Sequence, residues 1–361
     1  MKKNRIGLIT THSALNYGAA LQAYATTKIL KNFGEVVVVD YVGDQIAFES
    51  RLIRIDLRIR SILSAIKDIF RFKNRYITKA KFKSFAESCL RPIVELPDVH
   101  KLDVLVCGSD QIWNPSCVSK NLKILDAYFL EVAGFAGKKM SISSSAGGHA
   151  FGSTDLIKVK DILAKFDFVS VREKSLQRQL ESAGLTNVSH FLDPTLLVED
   201  DVWDMIKAPL DLPKEYILVY SVPKLPQLFR VLDQVKANLG IPVIMIEQGL
   251  YRGKNIDFIS RSCGPEEFVE YFRNATYVVT DSFHGMCFSL IMKVKFLIVT
   301  AEPHSTRIDS LSRITNTANR VLQDCSVLTD NLIETEVDFE EVSAFLSQHR
   351  ENNIRELVEK F

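Results

Sequence analysis

The chain has 361 residues, 47% apolar and 25% charged, values that exclude the low-hydrophobicity, high-charge composition of a disordered chain. Its 45 Lys and Arg nearly balance 44 Asp and Glu, for a net charge of +1, so bulk electrostatics give no reason to expect nucleic-acid binding and any useful charge is local. At roughly 100 to 200 residues per domain, the length predicts two domains.

The start, MKKNRIGLITTHSALNYG, has one short apolar run, IGLIT at 6–10, followed by a glycine rather than a small-residue cleavage site, which predicts no signal peptide. No window reaches the roughly 18 to 20 apolar residues of a membrane-spanning helix, and a soluble or peripheral cytoplasmic protein is expected. IGLIT reads as a strand feeding THSALNYGAALQAYATTKIL, where Asn16 and Gly18 suit a turn and Ala19, Ala20 and Ala23 let a helix approach a sheet. A helix N-terminus there can take an anion or a sugar hydroxyl, which makes Asn16, Tyr17 and Gly18 ligand-contact candidates; close packing explains the same residues, and the pattern is not G-x-G-x-x-G.

After EVVVVDY at 35–41 the rhythm breaks. From Arg51 to Lys83, eleven Lys and Arg stand against two Asp, a local charge of +9, and Leu52, Ile55, Ile59, Ile62, Ile66 and Ile69 recur at helical spacing. This predicts a basic amphipathic helical insertion. Two readings are open: an apolar stripe facing the core with a solvated basic back, or a helix lying on an anionic membrane.

The strand DVLVCG at 103–108 leads into CGSDQIWNPS. In an open α/β sheet the groups beyond a strand's carboxyl end line the ligand crevice, which nominates Ser109, Asp110, Gln111, Trp113 and Asn114; polar groups beside an indole suit a sugar. The alternative is a capped turn, with Asp110 as N-cap and Trp113 buried. KMSISSS at 139–145 ends in a small-residue loop carrying His149. FDFVSV at 166–171 ends at Arg172, whose planar fork suits phosphate or carboxylate but equally a pair with Glu173 or another acid.

The proline- and acid-containing stretch 192–216 separates a second set of strands: YILVYSV at 216–222, IPVIMIE at 241–247, ATYVVTD at 275–281 and FLIVT at 296–300. These runs are continuous rather than alternating, as in parallel strands buried on both faces, and helix-length segments separate many of them. Two doubly wound α/β domains facing a cleft are expected, over 1–195 and 196–361, with the last helix able to pack back on the first. Asp281, Ser282 and His284 fall where the third of these strands passes into a helix, beside Gly285; Glu302, His304 and Arg307 follow the next strand. The six cysteines (Cys89, Cys107, Cys117, Cys263, Cys287, Cys325) show no metal-ligand spacing and read as reduced thiols; no metal site is expected.

In order and spacing, NYGAALQAYA, CGSDQIWNP, VSVREKSL, LDPTLL and TDSFHGMCFSLIM resemble the polysaccharide pyruvyltransferase family over about residues 16–300. The resemblance implies a GT-B-like pair of Rossmann-like domains and transfer of pyruvate from phosphoenolpyruvate, a co-substrate and not a cofactor, to two hydroxyls of a sugar in a capsule, exopolysaccharide or lipid-linked precursor. It places the donor-binding arginine at Arg172 and the family histidine at His284. Some members carry a further arginine where Ser282 stands here. Arg307 and the helix start at Gly285 are expected to supply the missing anion contacts, with Ser282 beside them. His284 is the expected acid, and Asp110 or Asp281 the base. Asn16, Tyr17, Gly18, Ser109, Asp110, Gln111, Trp113 and His149 form the expected acceptor side. A nucleotide-sugar glycosyltransferase and a non-catalytic scaffold are the competing readings.

Overall fold

A computed structural model describes residues 4–55, 59–301, 306–323, 326 and 328–361, and the side chains among them except those of 59–64, 97 and 306. Residues 302–305 lie outside this set, so the expectations for Glu302 and His304 concern residues the structure does not describe; Cys325 is likewise outside it.

Two compact units form. The first comprises Met1–Arg51, Phe82–Glu199 and Gln348–Phe361; the second comprises Leu52–Lys81 and Asp200–Ser347. The basic segment expected as an insertion of the first domain therefore groups almost entirely with the second. One reason is local. Lys81 Nζ lies 2.5 Å from Glu267 Oε1, and Glu267 in turn accepts from the Gly264 N–H at the start of the Pro265–Arg273 helix. The end of the chain groups with the first unit, where the Asn353 carboxamide oxygen accepts from Leu192 N–H at 3.0 Å.

The first unit holds a seven-stranded sheet of β1 (Asn4–Ile9), β2 (Gly34–Asp40), β3 (Ile93–Glu95), β4 (Val104–Cys107), β5 (Lys138–Ser144), β6 (Phe168–Val171) and β7 (Val188–His190), in the order β3-β2-β1-β4-β5-β6-β7. The second holds β8 (Ile217–Tyr220), β9 (Val243–Ile246), β10 (Phe258–Ser260), β11 (Tyr277–Thr280), β12 (Lys295–Val299) and β13 (Val321–Leu322), in the order β10-β9-β8-β11-β12-β13. Every pairing is parallel. Both sheets follow the doubly wound order in which the connection reverses direction beside the first strand, at β1/β4 and at β8/β11. Each unit is Rossmann-like.

The physical cause is burial on both faces. β4, β6, β8, β9 and β11 are four-residue strands with every residue buried, which favours apolar side chains; the polar exceptions, Ser170 and Thr280, donate their hydroxyls to the Ser141 and Tyr220 carbonyls. The helix Tyr17–Leu30, capped by the Asn16 side chain, is buried at nearly every position, which its run of Ala and Thr permits.

Candidate functional site

At each switch point the same device recurs: an acid just beyond the fourth strand reaches a hydroxyl just beyond the first. In the first unit Asp110 Oδ2 accepts from Thr11 Oγ1 at 2.9 Å. In the second, Asp281 Oδ2 accepts from Ser221 Oγ at 2.6 Å. These two strand-end edges are the candidate site, each taken within its own unit.

The first edge is crowded with carboxylates. Arg172 is almost fully buried, with Nη1 2.5 Å from Asp193 Oδ2, Nε 3.7 Å from Glu173 Oε1 and Nη2 3.9 Å from Asp110 Oδ1. Burial opposes the guanidinium's charge, but Asp193, Glu173 and Asp110 outweigh it and raise its pKa further. Arg172 thus meets protein acids at the position where the sequence suggests a bound anion, and its first task is to neutralise them. Asp193 is fixed on its other side, its Oδ1 accepting from the Thr195 N–H at 3.0 Å and the Thr195 hydroxyl at 2.7 Å. Glu173 accepts from the Ser145 hydroxyl. Asp110 is only partly buried and has φ of 68°, a left-handed conformation that Asp tolerates better than most residues.

Several residues expected on this edge serve the framework. Trp113 is 1% exposed; its indole N–H donates to the Tyr128 carbonyl at 2.9 Å and its ring stacks on Phe129, so it is core and no sugar platform. Asn16 is occupied as the helix cap, accepting from Ala19 N–H at 3.1 Å. Tyr17 is buried with its ring 5.4 Å from that of Phe82, and Gly18 lies within the helix and not in a turn. Ser109 is fully buried, its N–H donating to Gln22 Oε1 and its hydroxyl to the Ser143 carbonyl. Gln111 accepts from the Asn114 amide at 3.2 Å, and Asn114, not Asp110, caps the next helix. His149 stays on the edge: its ring meets Phe151 at 5.1 Å, and Nε2 has no hydrogen-bond partner among the described residues.

The second edge is built around a helix start. Ser282 caps Phe283–Ile291, its hydroxyl accepting from Gly285 N–H at 3.4 Å. Gly285, expected to supply an anion contact from the helix start, has its Cα against β11, where a Cβ would strike the Thr280 side chain. His284 is 7% exposed in the first helical turn, with the Phe283 ring edge-on to it at 5.3 Å. The Arg307 guanidinium stands 5.4 Å from the centre of that Phe283 ring. Arg307 and His284 thus flank one phenyl group at the positive end of a helix. Asp281 is spent on the loop after β8: besides Ser221 it accepts from Val222 N–H at 2.8 Å and Leu225 N–H at 3.3 Å. Burial raises its pKa against these donors, and its full set of partners gives it the part of a loop anchor and not that of a base.

The sequence profile of the family described as polysaccharide pyruvyl transferase matches residues 16–303. The chain belongs to that family. Membership of the polysaccharide pyruvyl transferases makes it a transferase of polysaccharide synthesis at the coarse level and implies a sugar or polysaccharide acceptor. Among curated proteins none matches its sequence. Among solved structures it is similar to the UDP-N-acetylglucosamine 2-epimerase of Rickettsia bellii, at 12% identity over 99% of this chain and 97% of that one, with a TM-score of 0.49. It is similar to the Methanocaldococcus jannaschii UDP-GlcNAc 2-epimerase in complex with UDP-GlcNAc and UDP, at 11% identity over 98% and 99% with a TM-score of 0.45, and to the Streptomyces nogalater glycosyltransferase SnogD, at 11% over 99% of each chain with a TM-score of 0.43. At such identities and TM-scores none of the three assigns this pyruvyl transferase family member a substrate.

Three residues that sequence reasoning passed over join these edges. His12 is buried, its Nδ1 3.3 Å from the Thr10 carbonyl and its Nε2 3.6 Å from Asp40 Oδ1. Desolvation lowers its pKa against the pull of that carbonyl and of Asp40. Its signal was its place, two residues beyond the first apolar run. Asp193 was visible only as part of LDPTLL, because its partner is 21 residues away. Thr300, just beyond β12, buries a hydroxyl with no hydrogen-bond partner among the described residues. Among those residues no cluster of three His, Cys, Asp or Glu could hold a metal, and no helix is long and apolar enough to cross a membrane. The five described cysteines are free, and burial pushes the Cys107 thiol up to about 12.

Proposed function

We propose that the chain transfers pyruvate from phosphoenolpyruvate to two hydroxyls of one sugar, as a cyclic ketal, on a surface polysaccharide or its lipid-linked precursor at the cytoplasmic side of the membrane. The observation that carries this reading is the contrast between the edges: His284 and Arg307 at a helix start suit a dianionic donor, whereas Asp110 among carboxylates suits hydroxyls.

In the proposed reaction a proton is delivered to the methylene carbon of phosphoenolpyruvate and the first sugar hydroxyl adds to C2, surrendering its proton to a base. The C2–O bond to phosphate breaks, the second hydroxyl closes on C2, and its proton leaves with the phosphate. His284 is assigned the proton to carbon and contact with the donor phosphate, Arg307 the donor's negative charge, and Asp110 the proton of the first hydroxyl. Arg172 is assigned to the first edge as the cation that positions Asp110. No redox step occurs, and the chemistry calls for no cofactor.

A nucleotide-sugar reaction has less support. Glu247, just beyond the second strand of the second unit, stands where a Rossmann fold offers an acid to a ribose, but it is buried and already accepts from Lys224 Nζ at 2.9 Å and Gly249 N–H at 2.5 Å. Incubation with phosphoenolpyruvate and a lipid-linked glycan fraction is expected to release phosphate and to add a ketal methyl signal to the glycan. Thermal protection by UDP or GDP, with none by phosphoenolpyruvate, would transfer the assignment to a glycosyltransferase. Donor binding without turnover across a panel of glycan acceptors would leave a scaffold.

A further inference from the structure

The basic segment is turned inside out. Among the described side chains of the helix Ile59–Phe70, the one buried completely is Asp68, clamped by Arg54 Nε at 3.0 Å and Arg71 Nε at 2.8 Å. In the next helix, Phe72–Cys89, Arg75 and Thr78 are buried in turn. Up to Tyr76 many of the large apolar side chains face water instead: Ile55 is 65% exposed, Ile66 46%, Ile69 62%, Phe70 76% and Tyr76 59%, whereas Phe82 and Phe85, further along the second helix, are buried. A core-facing stripe is thereby excluded at every described position that could test it except Leu52, which is half-buried.

Charge follows the same division. Arg54, Arg71 and Lys81 turn toward protein acids, while Lys67, Lys73 and Lys79 stand exposed among the outward Ile, Phe and Tyr. An isolated exposed Ile or Phe is ordinary, but five exposed large apolar residues between 66 and 76 (Ile66, Ile69, Phe70, Phe72 and Tyr76), interleaved with lysines in a segment of charge +9, make a surface built for two contacts at once. Apolar side chains can enter the acyl boundary while lysine stems lie alongside and their ammonium groups meet anionic headgroups. A second copy of this chain, at net charge +1, brings no excess of anions to match these cations.

We propose that this face, Ile66, Ile69, Phe70 and Tyr76 with Lys67 and Lys73, docks the chain on an anionic lipid bilayer. The surface deepens the lipid-linked acceptor reading and rests on it only for its purpose, since docking is measured without donor or sugar. Buried Asp68 fixes the helix so that the face is already turned outward in the free protein.

The test uses the full chain and vesicles of phosphatidylcholine alone or with one third phosphatidylglycerol. Phe70→Trp is expected to shift its emission to the blue with the anionic vesicles, at low salt, and not with the neutral ones. Pelleting of the wild type is expected to fall at least tenfold in Ile69→Asp/Phe70→Asp, and to lose its salt dependence in Lys67→Glu/Lys73→Glu. Both variants change exposed residues, and an unaltered melting temperature checks their folding. No pelleting and no shift at low salt would overturn the proposal, as would equal binding to neutral vesicles. A wild-type dimer in sedimentation velocity that the aspartate pair dissociates would assign the face to a second copy. Donor turnover with no vesicle binding would overturn this inference alone.

Discussion

The two switch-point edges share a topology and an acid-to-hydroxyl link, yet they distribute charge in opposite ways. At the first, four carboxylates (Asp40, Asp110, Glu173, Asp193) gather around Arg172 and His12, and Asp110 remains partly open. At the second, the acid is saturated: Asp281 takes the Ser221 hydroxyl and two backbone N–H groups, which leaves His284, Arg307 and the helix start as the electrostatic character of the edge. One doubly wound scaffold can therefore present a hydroxyl-accepting edge or an anion-accepting edge, depending on whether the strand-end acid is spent on its own loop.

The sharpest way to break the comparison is to remove the central cation of the first edge. Arg172→Ala leaves Asp193 and Glu173 buried without it and is expected to lower unfolding free energy by about 3–5 kcal/mol, whereas Arg307→Ala should stay within about 1 kcal/mol. Urea denaturation measures both; equal, small losses would return Arg172 to the role of a bare ligand clamp.

Acid should expose the first edge next. His190 donates from Nε2 to the Arg172 carbonyl at 3.1 Å, and burial lowers its pKa to about 4. Below the unperturbed value near 6.5 the unfolded chain takes up a proton that the folded chain refuses, so stability is full above that pH and falls as pH drops toward 4, by roughly 2–3 kcal/mol. His12, lowered in the same direction, adds to the fall. His190→Gln keeps a donor for the carbonyl and should flatten the profile of stability against pH; an unchanged slope would place the acid sensitivity elsewhere.

The smallest stability effects separate the two acids. Asp281→Asn is expected to cost about 1–3 kcal/mol, because an amide cannot accept from every donor that the carboxylate satisfies. Asp110→Asn should cost less than about 1 kcal/mol and yet lower turnover about 100-fold. Reversal of that pattern would exchange their roles.

How much of this was legible in the sequence follows from burial. The nine strand-like runs are the nine interior strands, because a strand buried on both faces is mostly apolar; β5 admits Ser141, Ser143 and Ser144 because each hydroxyl donates to a backbone carbonyl. The four strands that escaped notice, β3, β7, β10 and β13, are the four sheet edges; each has two or three residues and partly exposed positions, too little for any periodic signal. Position along the chain placed Asp110, Arg172 and His284 at strand ends. Direction was not legible: nothing in CGSDQIWNPS distinguishes Trp113 packed on Phe129 from an indole offered to a sugar. Nor could helical spacing reveal which face of the basic segment turns inward, because that depends on Arg54 and Arg71 closing on Asp68.

The central claim is that the donor anion binds the second edge. Titration calorimetry of phosphoenolpyruvate into the wild type, Arg307→Ala and Asp110→Asn tests it directly. Loss of one to two charge-assisted contacts predicts binding weakened roughly 10- to 100-fold in Arg307→Ala and unchanged or tighter in Asp110→Asn. Undiminished binding in Arg307→Ala, with loss in Asp110→Asn, would contradict the account and move the donor to the first edge.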